Sequence, residues 1–396
     1  MQLSGRLRES VRPHRDRQQQ GYVTARGREQ GIPKRSGPRT GKNVLPDGNG
    51  IKPCSRCLQC CRRTLGLRPR DRGLTAPNPR TTRQDGAKRM ELSGKGAQTP
   101  REDARNGEVL IWLNGRLVPR AEATVSIFDA GFGLGDGVWE GLRLVKGRFV
   151  FLDEHLRRLQ AGARAIALEI GLDRDGLEGA LKETAAANDM HDGVHVRLMV
   201  TRGEKTTVHQ DPRNALGRPT IAIVAEHKLP DPEIKECGLS LSTVPIRCSG
   251  PDTFDMRLNS HSRLNLIQAL LHAIGAGADE ALMLDPHGFV SSCNSTNFFI
   301  VKDGIVATST GGYCFNGITR EKVIGLCGDN GIRCELRNFT LAEVYDADEA
   351  FVTGTFGGLT PVRSIDGRSF SVERTWTRKL SHIYETEIGV ALRAGL

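Results

Sequence analysis

The sequence predicts an α+β fold of two domains, a small α/β N-terminal domain and a larger β-rich C-terminal domain, preceded by a disordered basic tail. Three observations support this prediction. Residues 1 to 107 lack helical or strand periodicity, hairpin and helix signals begin near residue 108, and a charged stretch with two prolines at residues 227 to 233 suits a linker. We therefore expect domains at residues 108 to 226 and 234 to 396.

The basic charge of the chain lies in its first 89 residues. They hold 22 Lys and Arg residues against 6 Asp and Glu residues, whereas residues 90 to 396 hold 34 against 40. This tail has too few apolar residues to bury a core. Two interpretations stay open: a true start near Met90, with the preceding residues translated from upstream DNA, or a basic arm that neutralises nucleic-acid phosphates. We favour the first, so nucleic acid is not an expected partner.

The ten cysteines fall into two groups. Cys54, Cys57, Cys60 and Cys61 could ligate zinc or an iron–sulfur cluster, but no second ligand group follows them and we expect no metal site. The others are scattered through apolar segments, as is typical of reduced thiols in a cytosolic protein. These six are Cys237, Cys248, Cys293, Cys314, Cys327 and Cys334. No run of 18 apolar residues and no secretory signal occurs, so we expect a cytoplasmic protein.

Hairpins and helices make up the predicted small domain. Residues 109 to 117 alternate apolar and polar side chains around Asn114-Gly115, a strong signal for a type I′ hairpin. A second hairpin pairs residues 142 to 145 with 149 to 152, and Asp153 is the expected N-cap of a helix to about Ile166. A further helix and two strands follow, at residues 177 to 188, 194 to 201 and 219 to 225.

The predicted large domain is richer in strands. A strand at residues 239 to 247 precedes a helix at residues 263 to 274, and three strands are expected between residues 280 and 307. The remaining elements are a helix at residues 319 to 326, a short helix capped by Thr340 and a strand at residues 349 to 353.

Several motifs, in order along the chain, resemble those of one family. They are Phe132-Gly133-Leu134-Gly135-Asp136-Gly137-Val138-Trp139-Glu140-Gly141, His155-Leu156-Arg157-Arg158-Leu159, Asn297-Phe298-Phe299, Gly317-Ile318-Thr319-Arg320, Gly354-Thr355 and Thr360-Pro361-Val362. Residues 108 to 392 are similar in this way to the class IV (fold type IV) aminotransferases, which include branched-chain and D-amino acid aminotransferases and aminodeoxychorismate lyase. The resemblance implies pyridoxal 5′-phosphate as cofactor, an amino acid and a 2-oxo acid as substrates, and a homodimer.

The resemblance also implies a site for the cofactor's phosphate. A dianionic phosphate needs a fixed cation and backbone N–H donors. Arg158 matches the family's phosphate arginine, Gly317-Ile318-Thr319 opens a predicted helix, and Gly354-Thr355 follows a predicted strand. The alternative for Arg158 is an ordinary exposed arginine on a helix. We expect the three pieces to form one phosphate site.

Residues that perform the family's chemistry are replaced. Alignment puts Asn259 where a lysine forms the Schiff base and shuttles a proton, and no lysine occurs between Lys235 and Lys302. Asparagine can do neither. Arg263 stands where many members have a tyrosine, and its cation could bind the cofactor's phenolate oxygen. Ser292 replaces the glutamate that keeps the pyridine nitrogen protonated. Because Asn259 occupies the lysine position, the catalytic residue stays unknown.

Four residues match the family's substrate pocket: Trp139, Arg143, His195 and Arg197. Either arginine could pair with an α-carboxylate, although Arg197 could equally form a surface ion pair and Trp139 could be plain core. The resemblance implies amino-group transfer of the branched-chain or D-amino acid type. Two alternatives stay open: a member that no longer transaminates and binds pyridoxal phosphate or another phosphorylated ligand, and a 4-amino-4-deoxychorismate lyase-like enzyme.

Overall fold

The computed structural model describes residues 94 to 394. Two β-sheets, eight α-helices and three short 3₁₀ helices make up this part of the chain, which confirms the predicted α+β class. The predicted tail up to residue 93, with Met90 and the four clustered cysteines, lies outside the described residues. No helix between residues 94 and 394 is long and apolar enough to cross a membrane.

The smaller sheet has six antiparallel strands. Their bounds are β1 Leu110–Leu113, β2 Arg116–Pro119, β3 Gly137–Val145, β4 Arg148–Phe149, β5 Val194–Thr201 and β6 Thr220–His227, and the helices of this part are α1 Ala130–Leu134, α2 Leu152–Ala165 and α3 Arg174–Ala187. The order is β2-β1-β6-β5-β3-β4. Every second side chain of β3 and β5 is buried in a core shared with α2 and α3. The intervening side chains are left on the opposite face.

The tight turns of the small sheet follow from local sequence. Asn114 and Gly115 have φ values of 50° and 87°, as a type I′ hairpin requires. The second hairpin ends early because Phe151 takes a left-handed conformation, with φ 53°, and becomes the N-cap of α2. Asp153 as N-cap was therefore the wrong prediction. Its carboxylate lies in the first helical turn, where its negative charge interacts favourably with the helix dipole.

The larger sheet has nine strands. They are β7 Leu239–Thr243, β8 Glu280–Leu284, β9 Val290–Cys293, β10 Asn297–Lys302, β11 Ile305–Thr308, β12 Cys334–Leu336, β13 Glu349–Gly354, β14 Gly358–Ile365 and β15 Arg368–Ser369. The order is β12-β11-β10-β13-β14-β7-β8-β9, with β15 beside β14. Strand β7 is parallel to β8 and β14, and β11 is parallel to β12.

Five helices accompany the larger sheet. They are α4 Pro232–Cys237, α5 Leu264–Gly275, α6 Ile318–Asp329, α7 Leu341–Tyr345 and α8 Thr375–Ala394. Thr340 caps α7 in a capping box with Glu343, as the sequence predicts for this threonine. Two strand predictions were wrong. Strand β7 ends at Thr243, because Pro245 has no N–H to donate to a neighbouring strand. Residues 280 to 308 form four strands instead of three, because three tight turns divide them.

Residues 94 to 107, which the sequence places in the tail, contact both sheets: Ala97 packs against the larger one, and Asn106 exchanges hydrogen bonds with His227 of β6 in the smaller one. Ala97 is buried, and its N–H donates to the carboxylate of Glu280 on β8 at 2.7 Å. Lys95 pairs with Asp231 at 2.8 Å. The tail prediction therefore does not hold for these residues, because a buried acceptor binds their backbone.

The loop between β7 and α5 pairs with β3 at residues 259 to 261. The N–H of Trp139 on β3 donates to the Asn259 carbonyl at 2.9 Å, and the N–H of His261 donates to the Gly137 carbonyl at 3.0 Å. The indole N–H of Trp139 also donates to the Ser260 carbonyl at 2.9 Å. We call the space bordered by Trp139, Arg158, Arg197, Arg263 and Phe315 the cleft.

Candidate functional site

A buried carboxylate fixes Arg158. Glu140 lies on the buried face of β3 with no exposed surface, and both its oxygens accept from Arg158, from Nε and from a terminal nitrogen, each at 2.7 Å. His155 contacts the same carboxylate at 2.7 Å. Burial alone would raise the pKa of Glu140, but the Arg158 cation and His155 outweigh it and lower the pKa below its usual value. Sequence reasoning gave Glu140 no role, although an acid among apolar strand residues was a signal.

Arg158 reaches the larger sheet's side of the cleft. Its second terminal nitrogen donates to the Asn316 carbonyl at 3.3 Å, and its guanidinium carbon lies 4.4 Å from the Phe315 ring centroid. Asn316 immediately precedes Gly317. The structure thus brings Arg158 and the start of α6 together, and the side chain is bound by a buried carboxylate rather than freely exposed.

Asn297 on β10 fixes the turn before α6. Its side-chain oxygen accepts from the Gly317 N–H at 3.2 Å, and its amide nitrogen donates to the Phe315 carbonyl at 2.6 Å. A Cβ on Gly317 would lie 2.5 Å from that oxygen, so the contact requires glycine. The role of Asn297 as an anchor was not apparent from the sequence.

Two threonines lie near this turn. Thr319, in the first turn of α6, is buried and lies 3.4 Å from the Tyr384 hydroxyl. Thr353 pairs with Asn297 in the sheet, and its buried hydroxyl has no hydrogen-bond partner among the residues described. Gly354-Thr355 follows directly, so Asn297 connects both predicted phosphate-binding segments. The arrangement offers a guanidinium and helix N–H groups to one anion.

Asn259 and Arg263 form one hydrogen-bonded unit. The Asn259 amide nitrogen donates to the Trp139 carbonyl, and its oxygen accepts from an Arg263 terminal nitrogen, each at 2.5 Å. The Arg263 Nε atom is buried and has no acceptor within the described part of the chain. Burial, together with Arg158 and Arg197, lowers the pKa of Arg263 to about 10, so the guanidinium stays charged near neutral pH.

The Ser292 hydroxyl donates its hydrogen bond within its own hairpin. Its hydroxyl donates to the Thr296 carbonyl at 2.8 Å and accepts at most a long contact, 3.5 Å, from the Asn297 amide. A hydroxyl in this arrangement provides no negative charge to a ligand nitrogen.

The predicted substrate residues lie on the open face of the smaller sheet. Trp139 and Arg143 alternate along β3, opposite Met199 and His195 of β5. Arg197 stacks on Trp139, with its guanidinium carbon 3.8 Å from the ring centroid, and it makes no salt bridge among the described residues. Trp139 is half-buried rather than plain core.

His195 and an unpredicted lysine face the turn after Gly354. The His195 ring packs edge-on against Phe356, with centroids 5.6 Å apart, and the Lys228 ammonium lies 4.9 Å from the same ring. Burial, with the cations of Lys228 and Arg197, lowers the pKa of His195 to about 3, so the imidazole is neutral. Arg143 and Lys228 also line a groove of about 430 Å³.

Two lysines lie near the turn after Gly354, and neither has a hydrogen bond to Asn259. Lys235 is half-buried, its ammonium donates to the carbonyls of Gly357 and Leu359, and burial lowers its pKa to about 8. The Lys228 ammonium lies over the Phe356 ring.

Residues 137 to 365 match the family described as amino-transferase class IV. This chain belongs to that family. The branched-chain-amino-acid aminotransferase-like protein 2 of Arabidopsis thaliana is 38% identical over 282 residues, which cover 71% of this chain and 50% of that protein. The putative branched-chain-amino-acid aminotransferase of Methanocaldococcus jannaschii is 38% identical over 260 residues, 65% of this chain and 88% of the relative. The chain thus spans about half the length of its Arabidopsis relatives.

Solved structures of family members share the fold. The branched-chain aminotransferase of Thermoproteus uzoniensis, solved with norvaline, superimposes with a TM-score of 0.65 at 30% identity, over 71% of this chain and 95% of that one. The T.th. branched-chain amino acid aminotransferase complexed with N-(5′-phosphopyridoxyl)-L-glutamate gives a TM-score of 0.65 at 28% identity, over 71% and 94%. Class IV membership therefore implies pyridoxal phosphate as the cofactor.

Pyridoxal phosphate fits the class IV cleft of this chain at one end only. A phosphate matches the Arg158 guanidinium, the Gly317 turn and the Thr353 hydroxyl. At the other end lie the Asn259 amide and the Arg263 guanidinium, and neither group can form an imine. The residues present thus suit a phosphorylated ligand and do not suit a covalently bound cofactor.

Proposed function

We propose that this class IV member binds pyridoxal phosphate non-covalently and transfers amino groups between a branched-chain or D-type amino acid and a 2-oxo acid without a lysine in contact with the ligand. One observation carries the proposal: Arg158 contacts the turn before Gly317, whereas Asn259, where the sequence alignment expects the lysine, is bound to Arg263. The preserved groups bind anions, and the replaced groups are those that move protons.

The phosphate in this proposal is held by Arg158, the Gly354-Thr355 turn and the start of α6 at Gly317-Ile318-Thr319, where Ile318 and Thr319 supply the N–H groups because that of Gly317 donates to Asn297. One Arg158 nitrogen contacts the Asn316 carbonyl at 3.3 Å, so it lies at the turn and is not used by Glu140. The start of the 12-residue helix α6 adds a dipole contribution of about 0.3 to 1 kcal/mol. Together these groups would anchor the phosphate in the absence of a covalent bond.

The substrate carboxylate in this proposal pairs with Arg197, with Arg143 further along the same face. Arg197 is fixed by its stacking on Trp139, and burial lowers the pKa of its guanidinium. His195 is neutral and offers one donor and one acceptor. Pyridoxal phosphate, when bound, supplies the electron sink that acidifies the Cα–H of an amino acid. Without a lysine base, we expect transfer to be slower by roughly 10² to 10⁴.

A homodimer is part of the proposal. Ser262 donates to the Gly135 carbonyl at 3.2 Å, so the segment around α1 and the start of α5 adjoin. Large apolar side chains are exposed on both: Ile127, Phe128, Phe132, Leu134, Leu264 and Ile267. An apolar surface of this kind favours a second copy of the chain. Sedimentation analysis should give a dimer, and Phe132→Glu should shift it to monomer.

The domain division and the compartment are proposals as well. Strand β6 ends at His227 and β7 begins at Leu239, so the change of sheet supports a boundary near residues 227 to 233. We propose residues 108 to 226 and 234 to 396 as the two domains, in a cytoplasmic protein.

Titration with pyridoxal phosphate tests the binding proposal. We expect saturable binding that survives dialysis poorly, and borohydride treatment followed by peptide mapping should find no pyridoxyl-lysine. Arg158→Gln should weaken binding at least about tenfold, since it removes a charged hydrogen-bond donor. Arg157→Gln is the matched control, because Arg157 is exposed on the same helix. A stoichiometric adduct on one lysine of the cleft would contradict the proposal.

A transamination assay tests the reaction. Purified protein with pyridoxal phosphate should convert leucine and 2-oxoglutarate slowly, or D-alanine if the D-type applies, at a rate that Arg197→Gln reduces further. No turnover above that of free pyridoxal phosphate, with binding retained, would favour the non-transaminating alternative.

A further inference from the structure

Three guanidinium groups crowd around two aromatic rings in the cleft. The Arg158 and Arg263 carbons lie 4.4 and 5.7 Å from the Phe315 ring centroid, and Arg197 and Arg263 lie 3.8 and 5.7 Å from the Trp139 centroid. Arg263 is thus near both rings, and each ring also contacts one of the other two guanidinium groups.

The described carboxylates do not neutralise this cluster. Glu140 contacts Arg158, whereas Glu226 acts on Arg197 and on Lys228 and makes no hydrogen bond to any of the three arginines. Arg263 is influenced by Arg158 and Arg197 in the unfavourable direction and by Glu140 alone in the favourable one. At least one positive charge thus stays uncompensated among the described residues.

Arg263 is held in place but not satisfied. One terminal nitrogen donates to Asn259 at 2.5 Å and to the Leu258 carbonyl at 3.3 Å, while Nε is buried without an acceptor among residues 94 to 394. A buried charged donor without an acceptor is costly, so such a group indicates a missing anionic partner. Asn259 is tied at its other end to Trp139, which sets the direction of the guanidinium.

We propose that Arg263, positioned by Asn259, binds a carboxylate of the ligand whose phosphate lies at Arg158, so that the cleft takes a phosphorylated carboxylic acid. The inference rests on the phosphate site of the proposed function, but it does not depend on amino-group transfer. A lysine at residue 259 would put a second cation against Arg263. The asparagine is therefore part of the anion site, because its amide oxygen accepts where an ammonium would repel.

Calorimetric titration of the full chain with two matched probes tests this. Pyridoxine 5′-phosphate and 4-pyridoxic acid 5′-phosphate share the ring and the phosphate and differ by one carboxylate. We expect the acid to bind at least about tenfold more tightly at low salt, because a charge-assisted hydrogen bond to carboxylate is gained. Equal affinities for the two probes would overturn the inference while leaving the phosphate site intact.

Variants locate the preference. Arg263→Gln should bind both probes alike, and Arg157→Gln, at an exposed position, should keep the preference. Asn259→Asp has the same shape and puts a carboxylate on Arg263, so it should remove or reverse the preference with Arg263 still present. Circular dichroism and thermal melting check that each variant is folded. A preference that persists in both Arg263→Gln and Asn259→Asp would refute the assignment, and failure of wild-type protein to bind either probe would refute the phosphate site as well.

Discussion

Replacing Glu140 by glutamine should destabilise the protein much more than an equivalent change at the surface. Glu140 is fully buried and accepts two hydrogen bonds from Arg158 and contacts His155, all at 2.7 Å. Glutamine has one acceptor oxygen, so its amide must face either an Arg158 donor or the His155 ring. Removing one partner of a buried ion pair costs about 3 to 5 kcal/mol. We expect Glu140→Gln to lower the free energy of unfolding by about that amount.

Glu154→Gln is the matched control for this experiment. Glu154 on α2, the helix that also carries Arg158, pairs with Lys322 on α6 at 2.9 Å, but both side chains are partly exposed. Exposed ion pairs contribute about 1 kcal/mol or less. Guanidinium chloride unfolding followed by fluorescence measures both losses. If the variants unfold with the same slope of free energy against denaturant, the shift of each midpoint gives the change in the free energy of unfolding. If the two variants lose the same stability, the buried contacts of Glu140 with Arg158 and His155 do not stabilise the fold as we argue.

Three further predictions concern pH, the missing lysine and the phosphate turn. His195 has a folded pKa of about 3 against an unfolded value near 6.5, so stability contributed by its neutral form is present above 6.5 and declines as pH falls toward 3. His195→Gln should flatten the stability–pH curve in that window by up to about 1.4 kcal/mol per pH unit, and an unchanged slope would contradict the assignment. Asn259→Lys should yield a borohydride-trapped adduct at residue 259 by peptide mapping and raise transamination by roughly 10² or more; a trapped adduct elsewhere would place the reactive amine at another residue. Gly317→Ala should cost about 1 to 3 kcal/mol and weaken pyridoxal phosphate binding, because the new Cβ would lie 2.5 Å from the Asn297 oxygen. Gly325→Ala on the same helix has open space around it and should be neutral or stabilising, so similar losses for both variants would exclude the steric explanation.

Local signals predicted the fold well. The strand at residues 194 to 201 was predicted to the residue, and the hairpin at Asn114 has the predicted backbone conformation, because side-chain alternation and turn chemistry act over a few residues. The prediction of Asp153 as N-cap was wrong because the N-cap is Phe151, which is left-handed and packs in a core with residues of the larger sheet. Sequence position alone could not show that conformation.

The site was predicted in part. Motif order brought Arg158 and Gly317 into one hypothesis, and the structure places them at the same edge of the cleft. Glu140 and Asn297 were missed as partners, since an acid on a strand and an asparagine at a strand start have many ordinary uses. Which residue each contacts depends on two sheets meeting, and no local pattern encodes that. The binding roles assigned to the site residues stay predictions.

The side chains of Asn259 and Arg263 form one unit. A lysine at residue 259 would instead put an ammonium beside the Arg263 guanidinium, and the two cations would repel each other. Asn259 and Arg263 form a 2.5 Å contact in which the amide accepts and the guanidinium donates, and the amide's other end is bound by Trp139. The asparagine is thus fully paired, while the Nε of the neighbouring Arg263 has no acceptor among the described residues. The carboxylate that we propose for the ligand would supply that acceptor.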